Sequence, residues 1–200
     1  VRPDRYQLLD QGRKLIDCFA RANALPAPMV ELRTVAQWPH SVCAFYRPTF
    51  IAICLPKCAP IGLAGRAWSY PGWMVDRTPY GVVAHELGHH ADRERGRAEG
   101  LPCGEYYSDF GKRVHGNAGE AGITSYADAA DYVEWFAECF RLFVTNPGLL
   151  QAIRPRTYRE LTAAKFQPVL PLDWRALLAE APERTRKLAE RRVEEARALI

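Results

Sequence analysis

Two histidines stand four residues apart in His85-Glu86-Leu87-Gly88-His89, and no other feature of the chain constrains it as much. The segment around them carries the start and stop signals of a helix. The Thr78 hydroxyl can accept from an orphan backbone N–H and Pro79 suits the first helical position, so the helix is expected from about Pro79 to Arg95, with Gly96 just past its end. Residues four apart on a helix stand one turn above each other, so both imidazoles can reach one zinc ion. Glu86, between them, can reach a water on that ion. The plainer alternative is two surface histidines on an ordinary helix.

A catalytic zinc needs a third protein ligand and an open fourth position. His90 adjoins His89 and points elsewhere on the helix, and no His follows a few residues on, so the ligand must come from another part of the chain. Glu134 and Glu138 lie four apart in Tyr132-Val133-Glu134-Trp135-Phe136-Ala137-Glu138-Cys139-Phe140, on one face of a strongly aromatic helix. Carboxylates amid so much apolar surface need compensation, which a buried zinc and its histidines provide. One arrangement puts one Glu on the metal and lets the other accept a hydrogen bond from a ligating His. Two solvent-facing acids on an amphipathic helix is the other.

Composition excludes several classes. At 200 residues, 48% hydrophobic and 25% charged, the chain is neither disordered nor collagen-like. No apolar run approaches the roughly 18 residues of a membrane span. The net charge of +4 does not by itself indicate a nucleic-acid surface, which leaves a nucleic-acid-associated role as the weaker third option. The opening Val1-Arg2-Pro3-Asp4 lacks the pattern of an intact signal peptide, which leaves localisation open.

The expected fold class is α+β. Apolar spacing from Arg5 to Asn23 predicts an opening helix, and short β-branched and aromatic runs follow at Val30 to Val35, Val42 to Tyr46 and Phe50 to Leu55. The last two form a hairpin around Arg47-Pro48-Thr49. Gly96 to Ser125 reads as a long connection with a turn or two around Tyr106 to Val114. Asp128 or Asp131 caps the next helix, which Asn146-Pro147-Gly148 ends near Thr145; further helices are expected near Arg156 to Phe166 and Trp174 to Ala181. Residues 1–182 are taken as one domain and 183–200 as a charged C-terminal helix that packs on it, dimerises or docks a partner protein.

His85-Glu86-Leu87-Gly88-His89 with Asp92, Thr124-Ser125-Tyr126 and Glu134-Trp135-Phe136-Ala137-Glu138-Cys139-Phe140 resembles the anthrax lethal factor-type zinc peptidases, which include the Pro-Pro endopeptidases. The resemblance covers roughly Thr78 to Thr145. It implies a zincin-like domain of gluzincin type: a small sheet, a metal-binding helix and a mainly helical C-terminal half. It also implies Glu134 as third ligand, Glu138 behind the ligands, and Tyr126 as the donor to a developing oxyanion. The function expected is zinc-dependent endopeptidase on a peptide or protein substrate, with Glu86 moving the water proton. The rival is a catalytically silent zinc-stabilised binding or structural protein on the same fold.

By analogy with that layout, Phe50 to Leu55 is either the edge strand for an extended substrate or an ordinary core strand. Trp68, Tyr70 and Trp73 line a substrate groove or belong to the core. Asp92 either orients a histidine or caps and solvates its helix. His40 and His115 are isolated. Cys43, Cys54, Cys58 and Cys103 are free thiols, a disulfide, or a second, structural zinc site; Cys43 should lie opposite Cys54 across the hairpin.

Overall fold

The computed structural model describes residues 5–59, 77–145 and 147–167, together with Glu183 and Lys187. The aromatic segment with Trp68, Tyr70 and Trp73, the helix expected at Trp174 to Ala181 and the charged C-terminal helix lie outside the described residues, and so does the boundary between 182 and 183.

Helix α1 (Arg5–Asn23) places Leu8, Leu9, Leu15, Ile16 and Phe19 on one buried face, as their spacing requires. Three short strands follow: β1 (Met29–Leu32), β2 (Ala44–Arg47) and β3 (Phe50–Ile53). β2 and β3 form the expected antiparallel hairpin, pairing Ala44 with Ile53 and Arg47 with Phe50, and β1 pairs in parallel with β3. The sheet order β1-β3-β2 makes β3 the central strand. Of the two readings of Phe50 to Leu55, this bears out the core strand and rules out the sheet edge. Its Phe-Ile-Ala-Ile run is apolar at every position and buried from Ile51 to Ile53, as a strand covered on both faces must be. Thr34 to Val35 is not strand either, since a 3-10 turn starts at Val35.

Helix α2 (Pro79–Ala98) crosses beneath the sheet. Thr78 caps it, its side chain accepting from the Gly81 N–H at 3.1 Å, with Pro79 in the first turn. It runs three residues beyond the expected Arg95 and takes Gly96 inside it, ending near Gly100, whose φ of +70° is cheap only for glycine. Helix α3 (Asp109–Ala118), capped by Ser108, occupies much of the segment expected as a connection. Thr124 caps the short α4 (Ser125–Ala129). Helix α5 (Tyr132–Thr145) follows, and Asp131, not Asp128, caps it, accepting from the Val133 N–H at 3.0 Å. Pro147 then opens α6 (Pro147–Ile153), and Pro155 opens α7 (Pro155–Ala163).

α2 is therefore sandwiched, with the sheet and α1 on one side and α5 on the other. The core joins Phe19, Ile51, Val83, Leu87, Phe136 and Phe140 across these layers. Phe19 meets Phe140 edge-on at 5.2 Å between ring centres, a favoured aromatic geometry. The contact that sets the α2–α5 distance is at Gly88. A Cβ built there would stand 2.7 Å from the Ala137 Cα, so the two backbones touch where a side chain would hold them apart. Gly88 lies between His85 and His89, and Ala137 between Glu134 and Glu138. The close approach thus brings the two acid positions onto the two histidines.

Candidate metal centre

α2 is buried almost all round, yet its buried positions include His85, Glu86, His89, His90, Asp92 and Glu94. Buried polar groups need partners, so each can be followed to its own. His90 ties the sheet to the loop after α1: one ring nitrogen meets the Tyr46 hydroxyl at 3.2 Å and the other the Pro26 carbonyl at 2.6 Å. Glu94 pairs with Arg93 and Arg97. The Asp92 carboxylate accepts from the Ser108 N–H at 2.9 Å, the Ser108 hydroxyl at 2.5 Å and the Gly111 N–H at 2.7 Å. Asp92 therefore anchors the start of α3, and neither orients a histidine nor caps its own helix. Burial pushes its carboxyl up to about 6 against the pull of those donors.

His85, Glu86 and His89 face a different way. They line a cleft of about 540 Å³ together with Glu134, Tyr106 and Tyr126. Strand β2 forms one wall. Because the Cys54 N–H donates to the Cys43 carbonyl at 2.9 Å, ladder alternation turns the N–H and C=O groups of Ala44 and Tyr46 away from β3, towards the edge that no strand among the described residues pairs with.

One ligand atom from each of His85, His89 and Glu134 lies within 4.8 Å of the others, the only such group among the described residues. Glu134 Oε2 is 3.1 Å from His85 Nε2 and 3.8 Å from His89 Nε2. It is nevertheless a buried oxygen with no hydrogen bond, because the 3.1 Å approach lacks the necessary alignment. A buried acceptor left unmade costs about 1–3 kcal/mol, which a cation among the three atoms would remove. Two imidazole nitrogens and one carboxylate oxygen also make the donor set of a catalytic zinc site with an open position. The residues present fit zinc.

Behind this group, His85 Nδ1 meets Glu138 Oε1 at 2.8 Å. Glu138 is fully buried, and the Arg141 guanidinium holds both its oxygens, Nε on Oε1 and Nη2 on Oε2, each at 3.0 Å. Arg141 was not legible as part of the site, although its place three residues after Glu138 on the same helix face was the available signal. Tyr106, 6.2 Å from His89 between ring centres, had no signal in the sequence.

The electrostatics follow from burial and neighbours. Burial disfavours the His85 cation, but Glu134 and Glu138 outweigh it and raise its pKa to about 10. Burial, and then the charge on His85, push His89 down to about 3. Burial would raise Glu134, but His85 draws it down to about 2. Glu138 stays below the ordinary carboxylate range because Arg141 and His85 overcome its desolvation. Glu86, desolvated and facing Glu134, is pushed up to about 7 despite His85. Tyr126 on α4 is half-exposed in the cleft, its ring centre 6.2 Å from that of His85. Its phenol donates to Glu134, and burial together with that carboxylate raises its pKa.

Among the described residues the cysteines do not form a second metal set. Cys43 lies opposite Cys54 along the backbone as expected, but the side chains part: Cys43 packs with Cys58 in the main core, and Cys54 lies on the far face of the sheet with Trp38. The Cys43 and Cys58 thiols share a hydrogen bond that lowers the first and raises the second. Cys103 contacts the Leu101 carbonyl at 3.2 Å instead. His115 packs on Trp135 and His40 on Trp38, away from the cleft. Among the described residues no helix is long and apolar enough to cross a membrane.

Comparison of the chain with protein-family models, curated proteins and solved structures finds no match. The class of the site rests on its own geometry.

Proposed function

We propose that this chain is a zinc-dependent endopeptidase of zincin type, with His85, His89 and Glu134 holding the ion. One observation carries the reading: the three-ligand group opens on a cleft that also holds Glu86, and no fourth side chain among the described residues completes the set. A structural zinc is enclosed by four protein ligands, whereas a catalytic one keeps a position free. The resemblance to the lethal factor-type zinc peptidases supports the same reading from the sequence side.

Zinc, when bound, supplies Lewis acidity that polarises a carbonyl and acidifies water. The chain does the rest. Glu86, buried in the cleft beside His85, is placed to accept a proton from the attacking water and return it to the leaving amine. Tyr126 sits on the cleft side of His85, where its phenol can donate to the oxyanion as the carbonyl becomes tetrahedral. The outward N–H and C=O groups of Ala44 on β2 can pair with an extended substrate backbone, a role that passes from Phe50–Leu55 to this edge.

The test is cleavage-site profiling of a proteome-derived peptide library by mass spectrometry, with zinc-loaded wild type beside Glu86→Ala. Cuts by the wild type alone, with zinc retained in the variant, are expected. Equal turnover by Glu86→Ala would exclude the general-base role. No cuts from fully loaded wild type would favour a silent zinc-stabilised binding protein.

A further inference from the structure

We propose that Arg141 is a positioning residue for the candidate metal centre, acting through Glu138 to fix which nitrogen of His85 faces the metal; this rests on the reading of the site given above. The geometry is a three-member chain. The Arg141 guanidinium grips the Glu138 carboxylate at both oxygens, each at 3.0 Å, and Oε1 of that carboxylate faces His85 Nδ1 at 2.8 Å. His85 Nε2 then lies 3.1 Å from Glu134 Oε2, on the side of the candidate metal position.

A guanidinium has donors only, so a carboxylate held by its fork is held as an acceptor at both oxygens. The ring nitrogen opposite Oε1 must therefore carry the hydrogen. In the neutral ring that binds metal, Nδ1–H on Glu138 leaves the lone pair on Nε2, the state a ligating histidine requires. The fork also fixes the plane of the carboxylate, and with it the plane of the imidazole. An ordinary helix ion pair between residues three apart would be exposed and would contribute little. Here the two side chains are 0% and 7% exposed, so the pair is desolvated and its geometry is enforced by packing. Lysine cannot reproduce the two-point grip, which makes Arg141→Lys informative.

The experiment measures zinc affinity of the whole chain by chelator competition for wild type, R141K, R141M, E138Q and E138Q/R141M, with metal-free melting temperatures alongside. Wild type should retain one zinc, and R141K and E138Q should each lose affinity by about tenfold or more. The double variant should bind little more weakly than E138Q alone, because both residues act on the same imidazole. If R141M proves too unstable to fold with Glu138 left unpaired, R141K and the double variant decide the matter. In the zinc-loaded protein, the His85 Nδ1–H should exchange faster with solvent in R141K than in wild type while the buried backbone amides of α2 and α5 keep wild-type rates, a split that a general loss of structure would not produce. Wild-type affinity in R141K, or additive losses in the double variant, would overturn the proposal while leaving the metal centre standing. A wild type that holds no zinc would overturn the reading of the site itself.

Discussion

Glu86 is the residue whose chemistry depends most on its surroundings. A carboxyl whose pKa is raised from 4.5 to about 7 carries a folding penalty when ionised. The sign follows from linkage: the penalty is absent below pH 4.5, grows as pH rises to 7, and is complete above, where it amounts to about 3 kcal/mol. Chelator-treated Glu86→Gln should therefore be more stable than chelator-treated wild type at pH 8, with the gap closing towards pH 4.5. Denaturant titrations at both pH values measure it, and a gap independent of pH would contradict the desolvation of Glu86. His85, Glu86 and His89 were legible because a single helix turn relates them. Glu134 and Glu138 were legible only as a pair, since sequence gives no orientation between helices. Asp92 shows the limit: its spacing from His89 suggested a bond to an imidazole, but the start of α3 offered three donors, and that helix was hidden in a glycine-containing stretch.

Between elements, the decisive contact is backbone to backbone. Gly88 on α2 meets Ala137 on α5 with no space for a methyl group, and the obstructing atoms belong to the main chain and cannot swing away. Gly88→Ala should destabilise the fold by about 1–3 kcal/mol. It should also weaken zinc binding by moving Glu134 away from His85 and His89. Equilibrium unfolding and chelator competition measure the two effects, and unchanged values for both would show that the spacing of the two helices is not set by this contact. α1 and α5 were readable almost to the residue because long, strongly periodic segments bury one face. α6 was not, because Asn146-Pro147-Gly148 contains a proline that ends one helix and opens the next. Strand order also escaped: periodicity identifies strands, but the parallel pairing of β1 with β3 is set by the connection between them.

At the scale of the molecule, α2 is buried almost all round and its polar residues are divided between two tasks. His90, Asp92 and Glu94 fasten the sheet, α3 and the helix surface, while His85, Glu86 and His89 are left to the cleft. That division placed the site where sheet edge, α2, α4 and α5 meet. The α+β class with a small sheet and a mainly helical second half was legible from the change of period along the chain; the edge beside the site, β2 in place of β3, was not. The most direct test of the central claim is zinc K-edge X-ray absorption on the stoichiometric zinc complex. The account predicts a first shell of nitrogen and oxygen only, with two imidazoles at about 2.0–2.1 Å and a carboxylate at about 2.0–2.2 Å, lost as a unit in His89→Ala. A sulfur shell at about 2.3 Å, or an unchanged spectrum in His89→Ala, would place the ion elsewhere and contradict it.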